Sequence, residues 1–210
     1  MRAWSDAETL RLHYGGTTML PRRVNVCALA FLLLLTSNAR AHDHPLLVGV
    51  RLAETRFKDW RYGHRLHRNQ VNCVLFMTAV VEELLRRPLT ADERAAILIS
   101  NVRRGKRLQQ LVARDDERIR GIQTALVKMG NGEIVTPHRA QPGDFIQFWK
   151  YRNGHWRGHT SIIVDVLDRN GSLCAIVFGA HQTLGGVGIG EFEVGLNDPD
   201  IKSYIVRFKP

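Results

Sequence analysis

The sequence predicts an α+β domain in which one buried helix packs on a curled, mostly antiparallel sheet of about five strands. Three observations predict it. The apolar residues between Val71 and Leu85 cover most of a helical wheel, which marks a helix buried on nearly all sides. After Gly132 the pattern changes to short segments rich in β-branched and aromatic residues, separated by Gly, Asn and Asp. No internal repeat, low-complexity block or linker follows residue 45, so the helices and the strands after them belong to one domain.

The chain opens with a segment expected to lie outside that domain. "PRRVNVCALAFLLLLTSNARA" has the basic start (Arg22, Arg23), the apolar run from Val24 to Leu35 and the small-residue end at Ala39-Arg40-Ala41 of a secretory signal peptide. Residues 1–41 are therefore read as a signal-peptide region and 42–210 as the domain. Met19 is the more natural start, which makes residues 1–18 a product of start-site choice. The apolar run is short for a membrane span, so the expectation is cleavage and export to the periplasm or the extracellular space, with no stable membrane anchor afterwards. No cysteine follows the run at a lipid-attachment position.

Within the domain the first helix is the apolar one, "VNCVLFMTAVVEELL". A second begins at "TADERAAILISNV", where Thr90 and Glu93 have the spacing of a capping box. A third runs through "DERIRGIQTALVKM" and stops at Gly130-Asn131-Gly132. Between them "VRRGKRLQQLVARDDER" mixes charges of both signs and reads as a solvated helix face. The expected strands are "DFIQFW", "HTSIIVDVLD", "SLCAIVFGAH", "GVGIGEFEV" and "IKSYIVRF".

A net charge of +10 makes the surface basic. An exported basic protein suits an anionic polymer, meaning wall polymers or a membrane surface more readily than nucleic acid; the charge is equally compatible with a solvated face. Nucleic acid is not expected as a partner, and the domain is expected to be a monomer. Cys27 leaves with the signal segment, so the domain keeps Cys73 and Cys174. Two cysteines in an oxidising compartment raise the question of a disulfide. Cys174 lies in an apolar strand and reads as core.

Cys73 stands at the start of the buried helix, where unpaired backbone N–H groups stabilise a thiolate. A cysteine hydrolase also needs an imidazole to take and return the proton, held by a third group. His159 leads the strand "HTSIIVDVLD" directly after Gly158. "LDRNGSL" is a turn signal whose hairpin pairs that strand with "SLCAIVFGAHQ". A two-residue Asn170-Gly171 loop would place Gln182 opposite His159; a three-residue loop would place His181 there. Residues directly opposite share a face, so either brings a polar side chain to the imidazole.

These segments resemble the NlpC-type papain-like peptidases of bacterial cell walls and the related CHAP amidases. "WRYGHRLHRNQVNCVLF" resembles the family's aromatic-plus-glycine segment and cysteine-led helix. "AQPGDFIQFWKYRNGHWRGHTSIIVDV" resembles its Pro-Gly-Asp turn, apolar strand and histidine-led strand. "IVFGAHQ" resembles the segment carrying a polar residue an even number of positions after that histidine. The resemblance implies a papain-like fold and a thiol protease or amidase acting on peptidoglycan. It implies Cys73 as nucleophile, His159 as base, and His181 rather than Gln182 as the third residue by parity. It also implies that Tyr62, with the Cys73 N–H, lies near the oxyanion. No metal and no organic cofactor is implied. Asn72 and Val74 flank Cys73 where the family has Asp and Ser, and only Gly63 follows Tyr62.

Asn72, beside the nucleophile, and Trp156, in the polar loop "KYRNGHWRG", are the candidates for the substrate cleft, whereas Trp149 alternates with core residues and reads as packing. The alternative to an enzyme is a non-catalytic envelope-binding protein that keeps the fold. His64 and His67, or His44 as the third residue of "HDHP" after cleavage, are weaker metal-binding patterns.

Overall fold

A computed structural model describes residues 44–63, 68–99, 106–190 and 194–210. The signal-like segment, His64 and His67 lie outside the described residues. Five α-helices are described: α1 (Pro45–Glu54), α2 (Cys73–Leu85), α3 (Ala91–Leu98), α4 (Lys106–Ala113) and α5 (Ile122–Lys128). Two short parallel strands, β1 (Arg61–Tyr62) and β2 (Gln70–Val71), lead into α2. The other strands are β3 (Gly132–Val135), β4 (Phe145–Arg152), β5 (His155–Arg169), β6 (Ser172–His181), β7 (Gly186–Ile189), β8 (Val194–Gly195) and β9 (Ile201–Phe208). They form one antiparallel sheet of order β3-β9-β4-β5-β6-β7, with β8 also paired to β6.

The described sheet thus has seven strands rather than about five. Gly130, at φ 77°, ends α5 as expected, but Gly132 already starts β3, which pairs with the C-terminal strand. "GVGIGEFEV" supplies two strands, β7 and β8, instead of one.

The central helix is the expected one, shorter by two residues because Val71 belongs to β2. Asn72 is its N-cap: the side-chain oxygen accepts from the Leu75 N–H at 2.9 Å. Phe76, Met77, Val80 and Val81 are fully enclosed, and each such side chain contributes roughly 1.5–3 kcal/mol of burial. Phe76 meets Phe178 of β6 edge-on at 5.8 Å. α1 lies alongside, burying Leu46, Val48 and Leu52; Gly49 lets it approach closely, since a Cβ there would sit 3.0 Å from Ile162. The opposite face of the sheet carries its own core of Ile146, Phe148, Ile163, Val177, Val194 and Ile205.

Thr90 and Glu93 form the expected capping box of α3. The third helix starts only at Ile122, because Gly121 at φ 53° separates it from a 3-10 turn at Glu117–Ile119. α4 is not merely a solvated face. Leu111 and Val112 are buried with Ile119, Trp149 and Tyr204.

"PGD" is a structural corner. Gly143, at φ 92°, leaves room for the His44 ring, which a Cβ would approach to 2.6 Å. Buried Asp144 accepts from Arg207 Nε at 2.8 Å and Nη2 at 3.0 Å, and from the Gln141 N–H at 2.9 Å. This ties the entry of β4 to the end of β9. Among the described residues no helix is long and apolar enough to cross a membrane.

Candidate active site

Cys73 is the first residue of α2, and its sulfur faces the backbone N–H groups of Thr160, Val74 and Cys73 itself. The β5–β6 pairing ends at Ile162–Phe178, so the two strands part at residues 159–161, where the N-terminus of α2 meets β5. Burial pushes the thiol's pKa up, and the pull of those three N–H groups reduces the rise without cancelling it. The expected thiolate-stabilising helix start is present, but the resting group is a thiol.

His159 lies inside β5, which begins at His155 instead of at the histidine. Its ring packs against Phe148, directly opposite on β4, at 5.5 Å. It stacks on His181 with centroids 4.8 Å apart and planes 30° apart. Burial first, and the neighbouring His181 second, hold its pKa down at about 3. Burial holds His181 at about 4. Both rings are therefore neutral at ordinary pH. His159 Nε2 and Ser161 Oγ are buried without a hydrogen-bond partner among the described residues.

The register explains why His181 is the neighbour. The loop is the two-residue one: Arg169 pairs with Ser172, and Asn170 (φ 57°) and Gly171 (φ 85°) both take left-handed conformations. By itself that turn would carry Gln182 to His159. Val164 is an extra residue in β5, because Ile163 pairs with Val177 while Asp165 pairs with Ile176. This one-residue bulge shifts the register beyond it and brings His181 beside His159. Gln182 is instead exposed in the following turn, where its carbonyl accepts from Gly185. The structure therefore places His181, not Gln182, beside the His159 ring.

Cys73 and His159 line one cleft of about 180 Å³, together with Val74, Gln147, Trp149, Gly158 and Thr160. No hydrogen bond joins the sulfur to the imidazole: the His159 ring stands on the Phe148 side of β5, whereas Gln147, Trp149, Gly158 and Thr160 face the α2 side, so exchange between the two groups runs through the gap where β5 and β6 part. Trp149, not Trp156, lines the cleft among the described residues. Trp149 is also core, donating its ring N–H to the Ile119 carbonyl at 2.9 Å. Gly158 is needed beneath it, since a Cβ would lie 2.7 Å from the Trp149 ring. Trp156 is drawn away: Gln109 bonds both its backbone N–H and its carbonyl, and Tyr151 packs on its ring at 5.1 Å. Asn72 is occupied as the helix cap and is not among the cleft-lining residues described.

Tyr62 is half-buried, with its pKa raised to about 12 by burial and, second, by the charge Cys73 would carry, which places its hydroxyl within electrostatic reach of the sulfur. Sequence reasoning missed Gln147, a buried amide in the cleft wall opposite Thr160. Its signal was a lone polar residue inside the apolar run "DFIQFW". It also missed the Thr160 N–H, for which no side-chain pattern gives a sign.

Cys73 and Cys174 are both free thiols. Cys174 pairs with Leu167 and Gly195, toward the turn end of the hairpin and away from His159, and is half-buried rather than fully enclosed. Among the described residues no cluster of three metal-ligating side chains occurs. Comparison of the chain with protein-family models, with curated proteins and with solved structures gave no match.

Proposed function

We propose that the chain is an exported cysteine hydrolase of papain-like fold that cleaves amide bonds in peptidoglycan stem peptides. The observation that carries this reading is the thiol at a helix N-terminus, sharing a cleft with His159, whose ring is stacked on a second imidazole. The order of chemistry follows from the protonation states. His159, neutral, takes the proton from Cys73 as the sulfur attacks the carbonyl carbon, so thiolate forms only in the encounter with substrate. The oxyanion is received by backbone N–H groups at the head of α2, with the Tyr62 hydroxyl near it. Protonated His159 then gives its proton to the leaving amine as the C–N bond breaks, leaving a thioester. Water, deprotonated by His159, attacks the thioester and releases the acid, restoring the thiol. His181 orients His159 and, being neutral, does not compete for the proton.

The test is release of soluble fragments from purified peptidoglycan by the 42–210 protein and by Cys73→Ala. Wild type should release them at least ~100-fold faster. Equal release by both proteins refutes the enzyme and leaves the alternative of an envelope-binding protein.

A further inference from the structure

The β4–β5 hairpin ends in a ribbon whose charge the described chain leaves uncompensated. Its strands are joined by a two-residue turn, Asn153 (φ 51°) and Gly154 (φ 78°), with Arg152 paired to His155. Lys150 stands directly opposite Arg157 in the same register, and residues two apart on a strand share a face. Lys150, Arg152, His155 and Arg157 therefore lie together on one face, and all four are exposed. Like charges set opposite each other destabilise a strand pair. Elsewhere the chain neutralises its cations: Arg87, Arg94, Arg118 and Arg207 each meet a carboxylate at 2.7–2.8 Å. Among the described residues Lys150, Arg152 and Arg157 form no ion pair. The acidic turn beside them meets the hairpin through its backbone, the Asp200 carbonyl accepting from the Tyr151 N–H at 2.9 Å, while Asp198 Oδ1 accepts from the Asp200 N–H at 2.8 Å.

The ribbon also stands clear of the sheet. Pairing of β4 with β9 ends at Lys150–Ile201, and β6 has already left β5 at Ile162. At ~3.4 Å per residue, the three residues from Tyr151 to the turn project about 10 Å past the last β9 pair. The face opposite the cations is aromatic. Tyr151 is 46% exposed and packs at 5.1 Å on the half-buried Trp156 ring. Lys202 Nζ lies over that indole at 5.6 Å, and Gln109 fastens its backbone.

We propose that this hairpin docks the domain on a bilayer surface bearing anionic lipid headgroups, entering the headgroup layer tip first. Lys and Arg are drawn to such a surface, and Tyr and Trp, apolar with a polar edge, favour the same layer. Elements that lie in this layer reach roughly 5–10 Å into it, a depth that the projection matches. A soluble phosphate polymer would use the cations and leave the rings idle. A single nucleic-acid strand would need rings and cations on one surface, whereas here they occupy opposite faces. A ribbon entering tip first brings both faces into the headgroups at once. The docking surface goes beyond the hydrolase reading and does not depend on it. Arg157 precedes His159 by two residues of β5, ~7 Å along the strand, so docking holds the thiol cleft at the lipid surface.

The experiment uses the 42–210 protein, since the apolar run from Val24 to Leu35 would itself enter lipid. Co-sedimentation is measured with vesicles of phosphatidylglycerol and phosphatidylcholine in equal parts and with vesicles of phosphatidylcholine alone. Binding is expected only to the first, and is expected to be lost between about 0.1 M and about 1 M salt as the screening length shrinks from roughly 10 Å to 3 Å. Each Lys or Arg at an anionic surface is worth roughly fivefold in partitioning, so Lys150→Gln/Arg152→Gln/Arg157→Gln should weaken binding ~100-fold. All three side chains are exposed, and far-UV circular dichroism checks that the variant is folded. Lys128→Gln/Arg139→Gln/Lys209→Gln removes the same number of cations near the opposite end of β4 and β9 and should weaken binding a few-fold at most. Tyr151→Ser should weaken it several-fold with the charge unchanged. Equal binding to phosphatidylcholine, equal losses in the two triple variants, or no binding at low salt overturns the proposal. So does inorganic polyphosphate that binds more tightly per phosphate than the vesicles while Tyr151→Ser has no effect, which would assign the cations to a soluble polymer.

Discussion

Two buried neutral imidazoles in contact make the stability of the fold depend on pH in a window where carboxylates contribute little. An unfolded histidine titrates at about 6.5, whereas His159 and His181 in the folded chain are held at about 3 and about 4. Depressed folded-state values mean that both groups bind fewer protons when folded. Their contribution is fully present above about pH 6.5 and is lost as pH falls toward the folded values. Between pH 7.5 and pH 5 the unfolded chain gains nearly both protons and the folded chain almost none, at about 2 kcal/mol per histidine and about 4 kcal/mol together. The half-buried His44, whose pKa burial also lowers, acts in the same direction. Urea unfolding of the 42–210 protein at the two pH values measures the difference directly. His181→Gln removes one titrating ring, so its difference should fall to about 2 kcal/mol whatever the substitution does to absolute stability. A wild-type difference below about 1 kcal/mol, or one unchanged in His181→Gln, refutes the assignment of two buried neutral rings.

Burial of the Cys73 thiol and of the Asp144 carboxylate has two further measurable outcomes. Since burial raises the Cys73 thiol, alkylation by iodoacetamide should be slow at mildly acidic pH and should accelerate as pH rises past the ordinary thiol range; fast labelling at pH 5–6 would reveal a preformed thiolate. Asp144→Ala removes a buried acceptor from the partly exposed Arg207 guanidinium and from the Gln141 N–H at the β4–β9 corner and should cost about 1.5–3 kcal/mol, read by thermal or urea unfolding; a loss under about 0.5 kcal/mol would show that the corner is held otherwise.

What could be read from the sequence was mostly local. The capping box at Thr90, the buried helix after Cys73 and the Asn170-Gly171 turn depend on residues within a few positions of one another, and all three form as expected. The choice between His181 and Gln182 was not local. It depends on Val164, which continues the β-branched run Ile162-Ile163, so nothing in the strand marks it as the extra residue. Trp149 packs in the core as expected but also borders the cleft, and Trp156 does not, because exposure in a hairpin depends on what packs beside it: Gln109 of α4, far away in sequence, fastens Trp156, while the missing side chain of Gly158 leaves room for the Trp149 ring. The thiol's raised pKa was likewise hidden, since a helix start can be recognised from its cap but the depth at which it is buried cannot.

The bulge at Val164 divides the β5–β6 hairpin into two mechanically separate lengths. On the far side, the turn is held by β8 and by the two residues after it: Leu196 N–H donates to the Leu173 carbonyl, and Asn197 accepts from the Leu173 N–H and donates to the Gly171 carbonyl. On the near side, His159 is fixed by β4 through Phe148 and His181 by β7 through Gly186, so each imidazole has an anchor independent of the hairpin. A slip or an inserted residue near Asn170 can therefore be absorbed at the kink, as a slack joint absorbs a change in length. The outer loop is open to substitution and to fusion of short tags, whereas a single added residue between His159 and Ile163 has no such relief.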